Sequence, residues 1–401
     1  MVTIKLKFRP MDADATRGRI VITVSKGGNV RQIKTVHQVT RSEWDGRRER
    51  LIIPKGPDRS ARLVEIREEL DRDMARLQMI VGKLERESYG YTVNDVVDEY
   101  TLFTARFSLF NFMNRLIESK LQCGRVRTSE TYRAALMSFS RFRNGEDVMI
   151  DAMSTEMIDS YEAFLQASGV TPNTSSFYMR ILRAVYNKAV ECGGSVQQQP
   201  FRHVYTGVEK TRKRALSLRE IRRIRSLDLT AQPALEYARD IFMLSFYTRG
   251  MSFVDMAFLR KTDLSDGYIT YRRRKTGQKL QVEWTREMQD IIDKYATATG
   301  QFLFPILRDG EADLRRHYHN VASRINGGLK KIAEAIGYHS PLTLYCARHS
   351  WASAAQTKKI PVSVISAGMG HASESTTRIY LASIDHTVVD RANSIILKAL
   401  R

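Results

Sequence analysis

The sequence predicts a mostly α fold with small β elements, in three parts: a β-rich N-terminus, an all-helical middle and a mixed α/β C-terminal part. Three observations carry that expectation. Apolar and polar residues alternate along the first strand-like stretch, Val2 to Phe8. From residue 60 onward, apolar residues recur mostly every three or four positions, the period of a helix. That period is broken by two short alternating stretches around Thr276-Gly277. The chain has 401 residues, 43% of them hydrophobic, which is enough for cores in two or three domains.

The elements follow in order. Val2, Ile4, Leu6 and Phe8 alternate with Thr3, Lys5 and Lys7, as in a half-buried strand. Arg19–Ser25 and Val30–Val36 flank Lys26-Gly27-Gly28-Asn29, the pattern of a hairpin. The β region carries Lys5, Lys7, Arg31 and Lys34. They read either as a solvated polar face or as DNA contacts, since a strand ribbon fits a major groove. One helix over 60–88 follows, with Leu63, Ile66, Leu70, Met74, Leu77, Val81 and Leu84 as a packing face between domains, so 1–90 forms the first part. Residues 91–197 read as all-helical: Val93–Leu121 as one helix, then helices around Tyr132–Phe139, Met157–Phe164 and Asn173–Cys192. Arg125, Arg127, Arg180, Arg183 and Lys188 give this unit a basic face suited to clamping DNA. Residues 198–214 read as a basic linker; Arg212 and Lys213 are either a solvated tether or a strap along phosphates. Residues 215–401 form the last part. Ser217-Leu-Arg-Glu220 is a capping box, Ala234–Tyr247 an apolar helix, and Tyr268–Lys275 and Leu280–Trp284 two strands. An apolar stripe from Val388 to Ala399 closes the chain.

Charge narrows the partners. A net charge of +20 points to a polyanion. Three scattered cysteines, Cys123, Cys192 and Cys346, give no disulfide framework and no metal spacing, which suits a reducing cytoplasm. The N-terminal residues lack the apolar run of a signal peptide, and no stretch nears the roughly 18 apolar residues of a membrane span. His317-Tyr318-His319 is weak as a metal site, because Arg315 and Arg316 beside it would repel a cation. No phosphate-binding loop of the ATPase type is present. No cofactor is expected.

The chemistry concentrates near the C-terminus. Ala347-Arg348-His349-Ser350 is followed by Gly370-His371 and by Thr376-Thr377-Arg378-Ile379-Tyr380. Arginine offers a planar fork to phosphate oxygens, and a tyrosine can attack phosphorus and hold the product covalently. This stretch resembles the tyrosine recombinase (phage integrase) family, whose signature is Arg-His, Leu-Gly-His and Thr-Thr-x-x-Tyr. The resemblance implies Tyr380 as nucleophile, Arg348 as phosphate clamp and His371 as a second donor. It implies Lys275, on the strand pair, as the acid for the leaving oxygen. Arg273 and Arg274 are its neighbours, read as DNA contacts and as the second choice for the active-site charge that Ser252 does not supply.

Two positions depart from the family. Its first box, Thr-Gly-x-Arg, has Ser252 at the arginine position, in Tyr247-Thr-Arg-Gly-Met-Ser-Phe253. This pattern resembles integrases of conjugative elements and invertible regions of gut anaerobes. Arg249, three residues earlier and about one helical turn away, is expected to supply the missing clamp. The usual histidine three residues before the second arginine is Tyr345, a hydrogen-bond donor but a poor general base.

The resemblance spans the chain and implies an arm-binding-like N-terminal domain, a core-binding domain and a catalytic domain. It implies strand exchange through a 3′-phosphotyrosyl link, four protomers on double-stranded DNA, and a Holliday junction. An accessory DNA-bending protein and a bacterial, nucleoid-associated location go with it. The alternatives are a DNA-binding regulator on a decayed recombinase fold, and a metal-dependent transposase, for which no convincing carboxylate cluster stands out.

Overall fold

The computed structural model describes residues 2–11, 16–54, 57–87, 90–209, 215–295, 300–304, 306–307, 310, 313–371 and 373–381. Arg212, Lys213 and the stripe from Val388 to Ala399 lie outside the described residues. The chain forms two compact units, Met1–Lys210 and Thr211–Arg401.

The first unit opens with β1 (Thr3–Pro10), β2 (Arg17–Lys26) and β3 (Asn29–Thr40), an antiparallel sheet in sequence order. Gly27 and Gly28, both at positive φ, form the two-residue turn between β2 and β3. A bulge between Arg19 and Val21 shifts the register. β4 (Trp44–Asp45) and β5 (Arg50–Leu51) pair as a small second ribbon. Next come α1 (Pro57–Glu87) and α2 (Val93–Phe107). The stripe on α1 is covered by the sheet and by α2: Leu77, Ile80 and Leu84 share one core with Ile22, Val24, Val96 and Tyr100. The stripe therefore lies between the N-terminal sheet and α2, the first helix after residue 90, in keeping with a packing face between the first two parts. Arg76 of α1 is buried and donates from Nε to Asp151 Oδ2 at 2.7 Å, while Tyr100 donates to Asp73 at 2.7 Å.

The long helix expected over Val93–Leu121 is broken. α3 (Leu109–Gln122) starts anew at Ser108, which caps it in an extended conformation. Asp147 fixes the break, accepting from Ser108 Oγ at 2.5 Å and from Phe110 N at 3.0 Å. Serine competes with the helix for its own backbone, so it favours caps. α4 (Val126–Phe142), α5 (Thr155–Ala167) and α6 (Pro172–Glu191) complete the helical bundle around Phe139, Tyr161, Leu182 and Tyr186.

In the second unit α7 (Leu218–Arg225) begins at the expected Ser217–Glu220 capping box. α8 (Pro233–Tyr247) is the central helix, buried continuously from Ala238 to Ser245. Short α9 (Phe253–Ala257) leads to β6 (Leu264–Ser265), β7 (Tyr268–Arg272) and β8 (Lys279–Glu283), an antiparallel sheet in that order. Arg273–Lys275 lie beyond the end of β7, in the turn. α10 (Arg286–Tyr295), α11 (Leu314–Ala335) and α12 (Leu344–Thr357) wrap around α8, followed by α13 (Val362–Met369) and α14 (Glu374–Tyr380). Among the described residues, no helix is long and apolar enough to cross a membrane.

Candidate active site

Arg348 sits on α12 and is 4% exposed. Its guanidinium donates from Nη1 to Gly250 O at 2.7 Å and from Nη2 to Met369 O at 2.7 Å. Nη2 also lies 2.9 Å from His371 Nε2. Burying a cation costs heavily unless donors are satisfied, and backbone carbonyls do this without neutralising its charge. The result is a fixed positive centre. Gly250 makes the approach feasible: it has φ +74, and a Cβ there would lie 2.7 Å from Arg348 Cα.

The Gly-His motif closes α13. Gly370 takes the left-handed conformation, and His371 N bonds back to Ser366 O at 3.1 Å. Its lack of a Cβ also matters, because one would meet Leu280 of β8 at 2.7 Å. The carbonyls of Met369 and Gly370 are two of the last of this helix. Arg348 caps the first, and Arg273 Nη1 caps the second at 2.6 Å. Cations are favoured at a helix C-terminus.

His371 is 7% exposed, and burial, then Arg348, Arg273 and Lys275, push its pKa down to about 4. The imidazole is therefore neutral near pH 7. With Nε2 accepting from Arg348, its proton belongs on Nδ1, which faces Thr377 Oγ1 at 2.8 Å. Thr377 is fully buried on α14, one turn before Tyr380. A continuous chain of contacts thus runs from Arg348 through His371 to the helix that ends on Tyr380.

The β7 turn brings the other cations. Alternate residues face inward: Ile269 is fully buried and Arg273 is 6% exposed, whereas Arg272 and Arg274 are exposed. Lys275 is exposed in the turn, close enough to His371 to depress its pKa. Asp255 Oδ1 accepts from Arg274 N at 2.9 Å, and its Oδ2 accepts from Ser252 Oγ at 2.6 Å. Ser252 is the N-cap of α9. Between β7 and this carboxylate, burial and then Asp255 hold the Tyr271 phenol well above its ordinary value.

Other residues singled out in the sequence have the following surroundings. Arg249 occupies a left-handed position, φ +61, and its Nη1 donates to Gln281 O at 3.2 Å. Its bond is thus to β8, whereas Arg273 lies on the carbonyl next to the one that Arg348 holds. Tyr345 is 52% exposed and packs edge-on against His349, with ring centroids 4.8 Å apart. Arg274 stacks over Phe258, 4.3 Å from the ring centre. The sequence offers Arg273 as a DNA contact and, with Arg274, as second choice for the missing charge; the period-two alternation from Ile269 is the signal that Arg273 is the one that points inward.

The basic residues of the first unit divide by face. Lys7, Val21 and Lys34 form one cross-strand row, so both lysines share a face of the sheet. Arg9, Arg19, Val21 and Lys34 line a shallow cleft of about 150 Å³ on it. Lys5 joins them by alternation and pairs with Glu49 at 3.1 Å. Arg31 pairs with Val24, which belongs to the core, and its Nε donates to Asn94 of α2 at 2.6 Å. It therefore stands on the opposite face, a correction to its grouping with Lys5 and Lys7. Arg125, Arg127, Arg180, Arg183 and Lys188 are exposed on the helical bundle.

Comparison with known proteins agrees with this architecture. The phage integrase SAM-like domain matches residues 108–206, and the phage integrase family matches residues 215–386. The tyrosine recombinase XerD of Listeria innocua is 22% identical over 296 residues, covering 72% of this chain and 94% of that protein. A lambda integrase dimer bound to a core site has a similar fold, with TM-score 0.53, 15% identity and coverage of 94% of both chains. The Tn1549 transposon integrase in complex with a circular-intermediate DNA gives TM-score 0.53 at 14% identity, covering 73% of this chain and 99% of that one. The chain belongs to the phage integrase family of tyrosine-type site-specific DNA recombinases.

Proposed function

We propose that this protein cuts and rejoins double-stranded DNA at specific sites through a covalent 3′-phosphotyrosyl intermediate on Tyr380. The observation that supports this most is the buried Arg348–His371–Thr377 chain, which ties a phosphate-binding cation to the helix that ends on Tyr380. The Tyr380 oxygen attacks phosphorus, the P–O5′ bond breaks, and the leaving 5′ oxygen takes a proton from Lys275. Neutral His371, with Nε2 accepting from Arg348 and Nδ1 facing Thr377, orients the clamp, and the tyrosine proton passes to water. Fixed cations stabilise the charge that builds on the phosphorane. A 5′ hydroxyl from a second strand reverses the step, so the bond energy is conserved and neither metal nor ATP is consumed.

The helical bundle would grip the crossover site and the N-terminal sheet a separate arm site, the domain division 1–90, 91–197, 198–214 and 215–401 following from these tasks. Lambda integrase has been seen as a tetramer on a Holliday junction. Four protomers of this chain would act likewise in the bacterial cytoplasm, with an accessory DNA-bending protein, to integrate, excise or invert DNA. A nicked suicide duplex tests the reading. Wild-type protein should remain attached to DNA after denaturation, and Tyr380→Phe should bind equally well and leave no adduct. Binding without any adduct from the wild type would favour a regulator on a silent recombinase fold, the reading that Ser252 and Tyr345 motivate.

A further inference from the structure

We infer that Arg273 is the second cationic clamp on the scissile phosphate, replacing the arginine that the family carries where this chain has Ser252. The inference rests on the proposed recombinase function and extends it to a residue outside the family's usual arginine positions.

Position is the first argument. Arg348 and Arg273 reach successive carbonyls, Met369 and Gly370, at the end of α13. Two guanidiniums on adjacent carbonyls form a paired positive centre beside His371. Arg273 bonds a carbonyl and no carboxylate among the described residues, so its charge is left to an anion with unshared oxygens.

Spare capacity is the second. Arg273 is 6% exposed, and its side chain uses only Nη1, on Gly370 O. Nε and Nη2 bond nothing among the described residues, and neither is a fully covered atom without a partner, so they retain an opening through which a ligand can reach them. A guanidinium held by one end with its other donors open is placed to bind, not merely to brace.

The third argument is that the rivals are held elsewhere. Arg249 bonds Gln281 O of β8, Arg272 bonds Gly277 O of its own turn, and Arg274 stacks on Phe258, so none of them is bonded to the α13 carbonyls that hold Arg348 and Arg273. Ser252 caps α9 and binds Asp255, which in turn holds Arg274 N. Asp255 is thus a positioning residue: fixing the backbone of Arg274 directs the neighbouring Arg273 inward. His371 supports the same placement, since Arg273 is one of the cations that depress its pKa.

The test uses the full-length protein on a nicked suicide duplex with either a normal phosphate or a methylphosphonate at the scissile position. A methylphosphonate carries no negative charge, so it reduces the need for one cation. Arg273→Ala should cut cleavage of the phosphate by roughly 100- to 1,000-fold, with binding little changed. It should recover most of that loss on the methylphosphonate, which a merely structural defect would not do. Arg273→Lys, matched to wild type in melting temperature, should stay well below wild type because it lacks the fork. Arg249→Ala should remain within a few-fold. Equal losses for Arg273→Ala on both duplexes, or near-normal cleavage of the phosphate, would overturn the assignment while leaving the recombinase reading intact. No Tyr380-dependent adduct from the wild type on either duplex would overturn the recombinase reading itself, and the clamp with it.

Discussion

Gly250→Ala isolates how finely Arg348 must be placed. Gly250 sits at φ +74, and its carbonyl accepts from Arg348 Nη1 at 2.7 Å. An added Cβ would lie 2.7 Å from Arg348 Cα, 2.9 Å from its Cγ and 3.0 Å from its Cβ. Non-bonded carbons rest about 3.5–4.0 Å apart, so the two backbones must separate by about 0.8–1.3 Å. A displacement near 1 Å in a reacting group costs roughly 100-fold in rate. The left-handed backbone adds about 1–2 kcal/mol of strain, and the overpacking about 1–3 kcal/mol. Gly337→Ala is the control, because that glycine has φ +63 and nothing within 4 Å of its would-be Cβ. It should lose stability through the backbone alone and keep normal cleavage. Single-turnover cleavage and urea unfolding of both variants separate the terms. Cleavage by Gly250→Ala within three-fold of wild type, or an equal loss in Gly337→Ala, would refute the claim that close packing at Gly250 sets Arg348.

Two further outcomes follow from the structure. His371 has an ordinary pKa of 6.5 when unfolded and about 4 in the fold, so below pH 6.5 the unfolded chain binds a proton that the native one refuses. Stability is full above pH 6.5 and falls as pH drops towards 4, by roughly 3 kcal/mol in all. Urea unfolding across that range should be flatter for His371→Asn, and parallel curves would contradict it. On the sheet, Lys7→Ala and Lys34→Ala should each reduce the slope of log affinity against log salt by about 0.9 at an arm site. Arg31→Ala should not, since Arg31 faces α2. Anisotropy titrations that rank Arg31 with the lysines would remove the assignment of faces. Point substitutions serve better than deleting residues 1–90, because Ile22 and Val24 share a core with Val96 and Tyr100.

How much was legible depended on whether a feature was local. The Gly27-Gly28 turn, the Ser217–Glu220 box and the β7–β8 pair are short-range patterns, and each appears close to where the sequence put it. The break at Ser108 escaped because apolar periodicity runs straight through it; the deciding partner, Asp147, is 39 residues away. The α1 stripe was legible as a packing face, but periodicity alone does not show that β2 and α2 are what cover it. In the site, the motif spacing located Arg348, Gly370-His371 and α14. It did not settle which arginine lies beside them. Counting helical turns back from Ser252 led to Arg249, but the chain there is a tight left-handed turn, not a helix, so one turn of spacing has no meaning. The deciding contact, Arg273 to Gly370, joins residues 97 apart.

The alternation along β7 has a consequence for how this chain tolerates insertions and deletions. Which of three consecutive arginines points inward is fixed by parity counted from Ile269. Removing or adding one residue between Ile269 and Arg272 would rotate the following side chains to the opposite face. A different arginine would then stand beside the Gly370 carbonyl, and Lys275 would be displaced with it. Substitutions at Arg272 or Arg274 leave this phase untouched, whereas a single lost codon before them scrambles it. In this hairpin, length is more tightly constrained than composition.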